Sequence, residues 1–301
     1  MWFRCLSFYR LKADGLNGGS TFEEKIQTKP LASCSGLDWF TEGWIRPAKW
    51  REGLLYTAQN FQLISLGRED KVLPSSVIKY FVDAKIGEIE EKESRKVGRK
   101  EKLALKEQVT DDLLPRAFTR FSETMAYIDP TRHWLVINSV TATKTEALVS
   151  KIRESIPTFS AVLPRTAITP KAAMTDWLVS GELPGGFEWD ADVELRDHDK
   201  EGGVIRYSRM ELTTEDIRQQ IKQGKNVTKL GLIWRERIRF ILTDTLQLTR
   251  IQFLDVLQDE VSQSGEDAES LFQSTFIIMT NELGQLLDEL LSALGRLVEA
   301  Q

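Results

Sequence analysis

The sequence contains few of the residues that most often carry catalysis or bind metals. Among its 301 residues are two cysteines, Cys5 and Cys34, and two histidines, His133 and His198. Two cysteines cannot build a disulfide framework, and no Cys/His set has the spacing of a zinc site. This composition predicts a protein of the reducing cytoplasm without a structural metal.

Long hydrophobic runs are also absent. Apolar runs such as Phe276–Met279 are far shorter than the ~20 residues that span a bilayer. Residues 1–12 alternate apolar and polar side chains, so they lack the continuous apolar segment of a signal peptide. We therefore predict a soluble, cytoplasmic protein with no membrane partner.

Sequence motifs of common enzymes are missing as well. There is no phosphate-binding G-x-x-x-x-G-K-[ST] loop, no G-x-G-x-x-G after a strand and no G-x-S-x-G elbow. Asp190, Asp192, Glu194 and Glu201 partly match a calcium-loop spacing, but Leu195 stands where that loop needs glycine. We predict no catalytic residue, no metal and no cofactor, and we keep a metal-dependent nuclease only as an alternative.

Apolar spacing along the chain predicts an α+β fold with mixed antiparallel sheets. Val227–Leu242 and Leu246–Phe253 alternate apolar and polar residues like two paired strands. His133 is expected in a strand, beside Trp134. From Glu266 onward, leucines and phenylalanines recur at helical spacing, which predicts a long C-terminal helical tract.

A helical hairpin is predicted for residues 76–114. The first arm follows an N-cap at Ser75 or Ser76, and both arms carry apolar residues at helical spacing away from Gly98. Near Gly98 both arms are polar, and Val97 is the only apolar residue of the stretch Glu90–Lys102. Because an all-polar helix has nothing to pack against, we expect the tip to project toward solvent or a partner.

The net charge of −5 hides a strong asymmetry along the chain. Residues 255–301 hold ten acids and one base, a balance of −9, so residues 1–254 carry +4. Residues 95–102 at the hairpin tip carry +4, and residues 204–254 hold ten bases and five acids. Clustered cations favour phosphate binding, whereas ion pairs along a solvated helix, such as Glu88 with Lys92, are the structural alternative.

Six motifs occur in order along nearly the whole chain. They are M-W-F-R (Met1–Arg4), K-V-L-P-S-S-V-I-K (Lys71–Lys79), L-L-P-R-A-F-T-R-F-S-E-T-M (Leu113–Met125), E-G-G-V-I-R (Glu201–Arg206), G-K-N-V-T-K-L (Gly224–Leu230) and I-M-T-x-E-L (Ile278–Leu283). Together they resemble the RdgC family of bacterial recombination-associated proteins.

The resemblance implies a non-enzymatic protein that forms a ring-shaped homodimer around double-stranded DNA with little sequence preference. It further implies that the ring restrains the recombinase RecA and is associated with the nucleoid. We expect a central α+β region (1–75 and 115–165), a helical finger (76–114) and a second α+β region (166–301). The acidic C-terminal helices of that second region are expected on the outer surface of the ring.

The resemblance also assigns residues by position. The expected DNA contacts are Arg95, Lys96, Arg99, Lys100 and Lys102 at the finger tip, with Lys225 and Lys229 from the Gly224–Leu230 motif. Phe118 and Arg209 are expected in dimer interfaces. The main alternative from the residues alone is a protein-interaction module whose charged hairpin docks an acidic partner instead of DNA.

Overall fold

A computed structural model describes residues 1–12, 22–197, 202–209, 215–265 and 267–298 of the chain. The fold of these residues is α+β with two antiparallel sheets, as predicted. The strands of the first sheet are β1 (Ser7–Leu11), β2 (Phe40–Ile45), β3 (Leu55–Ala58), β4 (Phe61–Val72), β5 (Phe118–Asp129), β6 (Trp134–Ile137) and β7 (Ala161–Val162). They lie in the order β2-β4-β5-β6-β1-β7, and β3 also pairs with β4.

The second sheet follows in the chain and has five strands in its described part. They are β8 (Phe187–Arg196), β9 (Val204–Ser208), β10 (Asn226–Trp234), β11 (Ile238–Thr243) and β12 (Leu248–Phe253). Their order is β12-β11-β10-β8-β9, so the strands that are adjacent in sequence mostly pair as hairpins.

The helices flank and connect the two sheets. They are α1 (Phe22–Gln27), α2 (Ser75–Glu93), α3 (Arg99–Leu113), α4 (Ala142–Ser155), α5 (Pro170–Ser180), α6 (Glu215–Lys222), α7 (Asp255–Ser262) and α8 (Ala268–Ala293). The 26-residue α8 confirms the predicted C-terminal helical tract. Within the described ranges, no helix is both long and apolar enough to cross a membrane.

The segment predicted as one strand at Val227–Leu242 is in fact a hairpin of two strands, β10 and β11. Arg235 and Glu236 form the turn between them, and both have left-handed backbone angles (φ 48° and 54°). Tight turns of this kind favour Gly and Asn. Because neither Arg235 nor Glu236 is of these types, the sequence does not indicate a turn at this position.

Two further local predictions are wrong. Helix α2 has Pro74 rather than Ser75 or Ser76 at its N-cap position, and no side chain caps it. His133 lies in the turn before β6, with a φ of 55°, since β6 begins only at Trp134.

A single large hydrophobic core joins the two sheets, and α8 lies in it. The ring of Phe276 in α8 stands edge-on to Tyr56 and Tyr127 of the first sheet, at centroid distances of 5.8 and 6.2 Å. Trp234 of the second sheet belongs to the same buried cluster. The division into two α+β regions near residue 165 stays a prediction, and the shared core shows that the two sheets pack together.

A second core lies between the first sheet and α4. Leu148 and Ile152 of α4 are fully buried there, with Ile64 and Ile128 of the sheet in the same cluster. This packing holds α4 against the sheet.

Arginines on the β10–β11 hairpin and the first sheet hold α8 in place. Arg237 donates to Glu282 at 2.9 and 3.0 Å and also to Glu260. The indole N–H of Trp234 donates to Glu289 at 2.7 Å. Arg132 donates to Asp288 at 2.8 Å. Acidic residues of the C-terminal segment therefore pair with the basic body of the protein.

We expect Arg237→Ala to lower the free energy of unfolding by about 1–3 kcal/mol, because Glu282 would be left without its charged partner. The side chain of Glu282 is only 13% exposed, so water cannot replace that partner fully. Urea denaturation followed by circular dichroism measures the change.

Lys29→Ala is the matched control, since Lys29 and Glu154 form an ion pair with both side chains exposed. That variant should cost at most about 1 kcal/mol. Equal losses for Arg237→Ala and Lys29→Ala would contradict a structural role for the Arg237 pair.

Candidate nucleic-acid interface

The predicted helical hairpin is present and consists of α2 and α3, inserted between β4 and β5. Its inner faces meet through Ile78, Val82 and Val109, which form a small buried cluster apart from the two larger cores. Lys85 of α2 pairs with Asp112 of α3 at 3.2 Å. The two helices thus support each other along their length, and their remaining faces are mostly exposed.

The turn between the helices, Ser94–Gly98, has a left-handed residue that the sequence does not indicate. Ser94 ends α2 in the left-handed region (φ 50°), while Gly98 is the N-cap of α3 with ordinary extended angles. Val97 is buried, and its N–H donates to the carboxylate of Glu90 at 3.1 Å. The chain reverses at Ser94, and nothing lies within 4 Å of the position that a Cβ on Gly98 would take.

Two of the five predicted tip cations are used within the turn itself. The guanidinium of Arg95 makes a two-point contact with Glu101, each bond 2.7 Å long, and also donates to Glu93. Lys96 donates to Glu90 at 2.9 Å. These hydrogen bonds raise the pKa of Arg95 and of Lys96 and lower the pKa of Glu101 and of Glu90.

The other three tip cations, Arg99, Lys100 and Lys102, are exposed on the first turn of α3. None of them forms an ion pair with a residue that the structure describes. Pairing therefore absorbs part of the tip charge, as the structural alternative predicts, and leaves three cations without an ion-pair partner among the described residues.

Lys225 and Lys229, expected to contact DNA, have acidic neighbours in the second sheet. Lys225 pairs with Asp197, and Lys229 pairs with Glu194 at 3.1 Å. Glu194 also accepts from Arg196 and Arg206.

Burial of Glu194 disfavours its charged form, yet these three hydrogen bonds outweigh that effect. They lower the pKa of Glu194 to about 2. The carboxylate is therefore ionised at neutral pH and binds three cations into one network. A DNA contact by Lys229 stays a prediction. A DNA phosphate would have to share the Lys229 ammonium with the carboxylate of Glu194.

Phe118, the expected interface residue, is the first residue of β5 and is 86% exposed. It lies directly across from Val72 at the end of β4, which is 46% exposed. Phe121 is 53% exposed on the opposite face of β5. We call this region, residues 70–72 and 118–121, the ribbon end.

Val72 and Phe121 were not among the expected interface residues. The sequence carried a usable signal, because Phe118 and Phe121 are large apolar residues three apart in a strand. Such spacing places one of them on each face. A strand that packs on one side only can bury just one of these two phenylalanines. The other must be exposed or contact another chain.

Arg209, the other expected interface residue, directly follows β9 and is exposed, with a left-handed φ of 58°. It lies beside a shallow depression whose walls include Asp190 and Arg239. Arg209 follows β9 of the second sheet, whereas Phe118 begins β5 of the first sheet.

Three of the four acids considered as metal ligands, Asp190, Asp192 and Glu194, face cations. Asp190 lies 3.5 Å from Arg239, and Asp192 lies 3.4 Å from Arg250. Among the described residues, no three Asp, Glu, His or Cys side chains form a group that could hold a metal ion. Two of the residues considered from sequence, His198 and Glu201, lie outside the described ranges.

Comparison with known proteins matches the whole length of the chain. The family model described as "Putative exonuclease, RdgC" matches residues 1–297. A recombination-associated protein RdgC from Laribacter hongkongensis is 46% identical over 301 residues, covering all of both chains. A protein of the same name from Neisseria gonorrhoeae is 42% identical over 295 residues, which cover 98% of this chain and 99% of the Neisseria protein.

A third relative of the same name, from Janthinobacterium sp., is 36% identical over 299 residues and covers 99% of both chains. The resemblance drawn from the six sequence motifs is confirmed by these matches. The chain belongs to the RdgC family of recombination-associated proteins.

Proposed function

We propose that this protein binds double-stranded DNA without sequence readout, encircles it as a ring-shaped homodimer and so restrains strand exchange by RecA. The observation that carries the proposal is the trio Arg99, Lys100 and Lys102, three exposed cations with no ion-pair partner among the described residues. Free cations on an exposed helix gain binding energy when they neutralise phosphates and release counterions.

The architecture of the hairpin fits contacts to the phosphate backbone. Arg95 bridges the turn to Glu101 in the first turn of α3, and the three free cations lie on that same turn of the helix. Contacts to phosphates position a protein on DNA but carry no base information. Binding through this trio would therefore be insensitive to sequence.

Closure of two copies into a ring would need two separate contact surfaces on each copy, and the ribbon end offers one of them. Phe118 exposes 86% of its surface. Large exposed aromatic residues are typical of sites that become buried on association. In a two-fold dimer the same patch on each copy would face its counterpart, which would bury Phe118 twice.

The restraint of RecA would then be physical obstruction. A closed ring leaves circular DNA only by opening, so the covered stretch is a poor substrate for filament growth or strand invasion. No bond is made or broken in this mechanism, and we propose no catalytic residue. Association with the nucleoid would follow from DNA binding itself.

The protein-interaction module remains the second candidate, because three free cations would also fit an acidic protein. A metal-dependent nuclease is the weaker one, since no three Asp, Glu, His or Cys side chains of the described residues form a group that could hold a metal ion. Loss of plasmid DNA that requires magnesium, measured with purified protein, would favour the nuclease. Capture of an acidic partner that DNA and polyphosphate fail to displace would favour the interaction module.

Replacing Arg99, Lys100 and Lys102 together by Ala should weaken binding of duplex DNA and flatten its salt dependence. Removing one phosphate neutralisation lowers the slope of log K against log salt by about 0.9, so the triple variant should reduce the slope by about two to three units. Fluorescence anisotropy with a duplex oligonucleotide over a series of salt concentrations measures the slope.

Two controls accompany this triple variant. A Lys12→Ala and Lys49→Ala double variant removes exposed lysines that follow β1 and lie in the β2–β3 connection, and it should leave the slope nearly unchanged. Duplexes of different base composition should bind the wild type with equal affinity. A slope unaltered in the triple variant would rule out the hairpin as the DNA contact.

Phe118→Ala should shift the protein toward monomers and shorten its retention on circular DNA, while linear duplex binding falls less. Because Phe118 is exposed in the single chain, the substitution should change the free energy of unfolding by no more than about 0.5 kcal/mol. Light scattering gives the mass, and gel filtration with relaxed plasmid gives the retention.

Leu163→Ala is the matched control, since Leu163 is an apolar residue that is 66% exposed, follows β7 and lies outside the ribbon end. It should leave both the mass and the retention as in the wild type. For Phe118→Ala, an unchanged mass together with unchanged retention on circular DNA would place this dimer interface elsewhere.

A further inference from the structure

A cleft of about 470 Å³ lies between the first sheet and the start of α4, away from the hairpin tip. Its walls include Arg120 and Thr124 of β5 on one side and Thr143 and Lys144 of α4 on the other. Arg120 also belongs to the ribbon end, whereas Thr124, Thr143 and Lys144 are not among the expected DNA or interface contacts.

The start of α4 is an open helix end. Its N-cap, Thr141, makes no side-chain capping bond, and the first turn contains no acid. The amides of Lys144 and Thr145 bond to the carbonyl of Thr141. Within the described chain, the amides of Ala142 and Thr143 have no acceptor. Free amides at this end of a helix favour an anion.

Thr124 gives an independent sign that the cleft takes a ligand. Only 7% of this residue is exposed, and it lines the cleft. Its hydroxyl makes no hydrogen bond to any described residue. Because Thr124 lines the cleft, its hydroxyl is available to donate to a group that enters from outside the chain.

The charges around the cleft leave two cations free. The acids that line it, Glu42 and Asp70, both pair with Arg68, at 2.6 and 2.7 Å. Arg120 and Lys144 form no ion pair within the described ranges. An anion entering the cleft would therefore meet two unpaired cations, and the nearby carboxylates are already neutralised in part.

We propose that this cleft binds a phosphate group, held by Arg120, Lys144, the Thr124 and Thr143 hydroxyls and the free amides at the start of α4. A phosphate has enough acceptor oxygens for this set of charged and neutral donors. The group could come from inorganic phosphate or a nucleotide, or from the backbone of DNA.

The test is titration of the full-length protein with inorganic phosphate at constant ionic strength, followed by calorimetry. Thr124→Val removes the buried hydroxyl and keeps a β-branched side chain in β5, and Lys144→Met removes the ammonium. Each variant should weaken phosphate binding by about tenfold, the usual effect of removing a hydrogen bond to a charged group.

Thr119→Val, on the other face of the same strand, and Lys49→Met are the matched controls and should bind phosphate like the wild type. Unfolding curves of the four variants show that each is folded. The proposal fails if wild-type protein shows no saturable phosphate binding. It also fails if Thr124→Val and Lys144→Met bind phosphate as tightly as their controls.

Binding of duplex DNA by the same variants distinguishes the two sources of phosphate. A salt-dependence slope lower by about one unit in Lys144→Met assigns the cleft to a phosphate of the DNA backbone. Unchanged duplex binding together with weakened phosphate binding assigns it to free phosphate or a nucleotide. Both results support the phosphate site. The three cations of the hairpin are unchanged in these variants, so neither result depends on the proposed role of the hairpin.

Discussion

The fold depends above all on the burial of α8 between the two sheets. Leu283, Leu286, Leu287 and Leu290 of this helix are fully buried. Each such leucine contributes about 1.5–3 kcal/mol relative to an exposed one. Because α8 contacts both sheets, it determines their relative position. The hairpin is attached to the first sheet, so its position relative to the basic strands of the second sheet also depends on α8. The acids on α8 then bind Arg132, Arg235 and Arg237 across that junction.

This pairing decides which positive charges are available to a ligand. Counting residues predicts a basic hairpin tip and a basic segment 204–254, but most cations of that segment have acidic partners in the structure. Lys225, Lys229 and Arg206 all meet carboxylates of β8 or the residue that follows it. At the tip, only Arg99, Lys100 and Lys102 stay free of ion pairs with described residues. The surplus charge of the hairpin is therefore concentrated on one turn of α3.

The hairpin and the ribbon end are parts of one continuous piece of chain. Strand β4 ends at Val72 and α2 begins at Ser75, while α3 ends at Leu113 and β5 begins at Phe118. The proposed DNA contact and the proposed dimer contact are thus joined through the same two helices. Strands β4 and β5 stay paired up to Val72 and Phe118, a few residues from the two helices.

The sequence by itself determined the α+β class, the helical hairpin, the long C-terminal helix and the family. These follow from hydrophobic periodicity and from motifs, both of which are local in the chain. Tertiary structure alone decided that Arg235 and Glu236 form a turn, that Ser94 rather than Gly98 reverses the hairpin, and which cations keep a free charge. It also placed Thr124 beside the start of α4. The reason is physical: an ion pair or a cleft depends on distances between residues far apart in sequence, and no spacing along the chain records those distances.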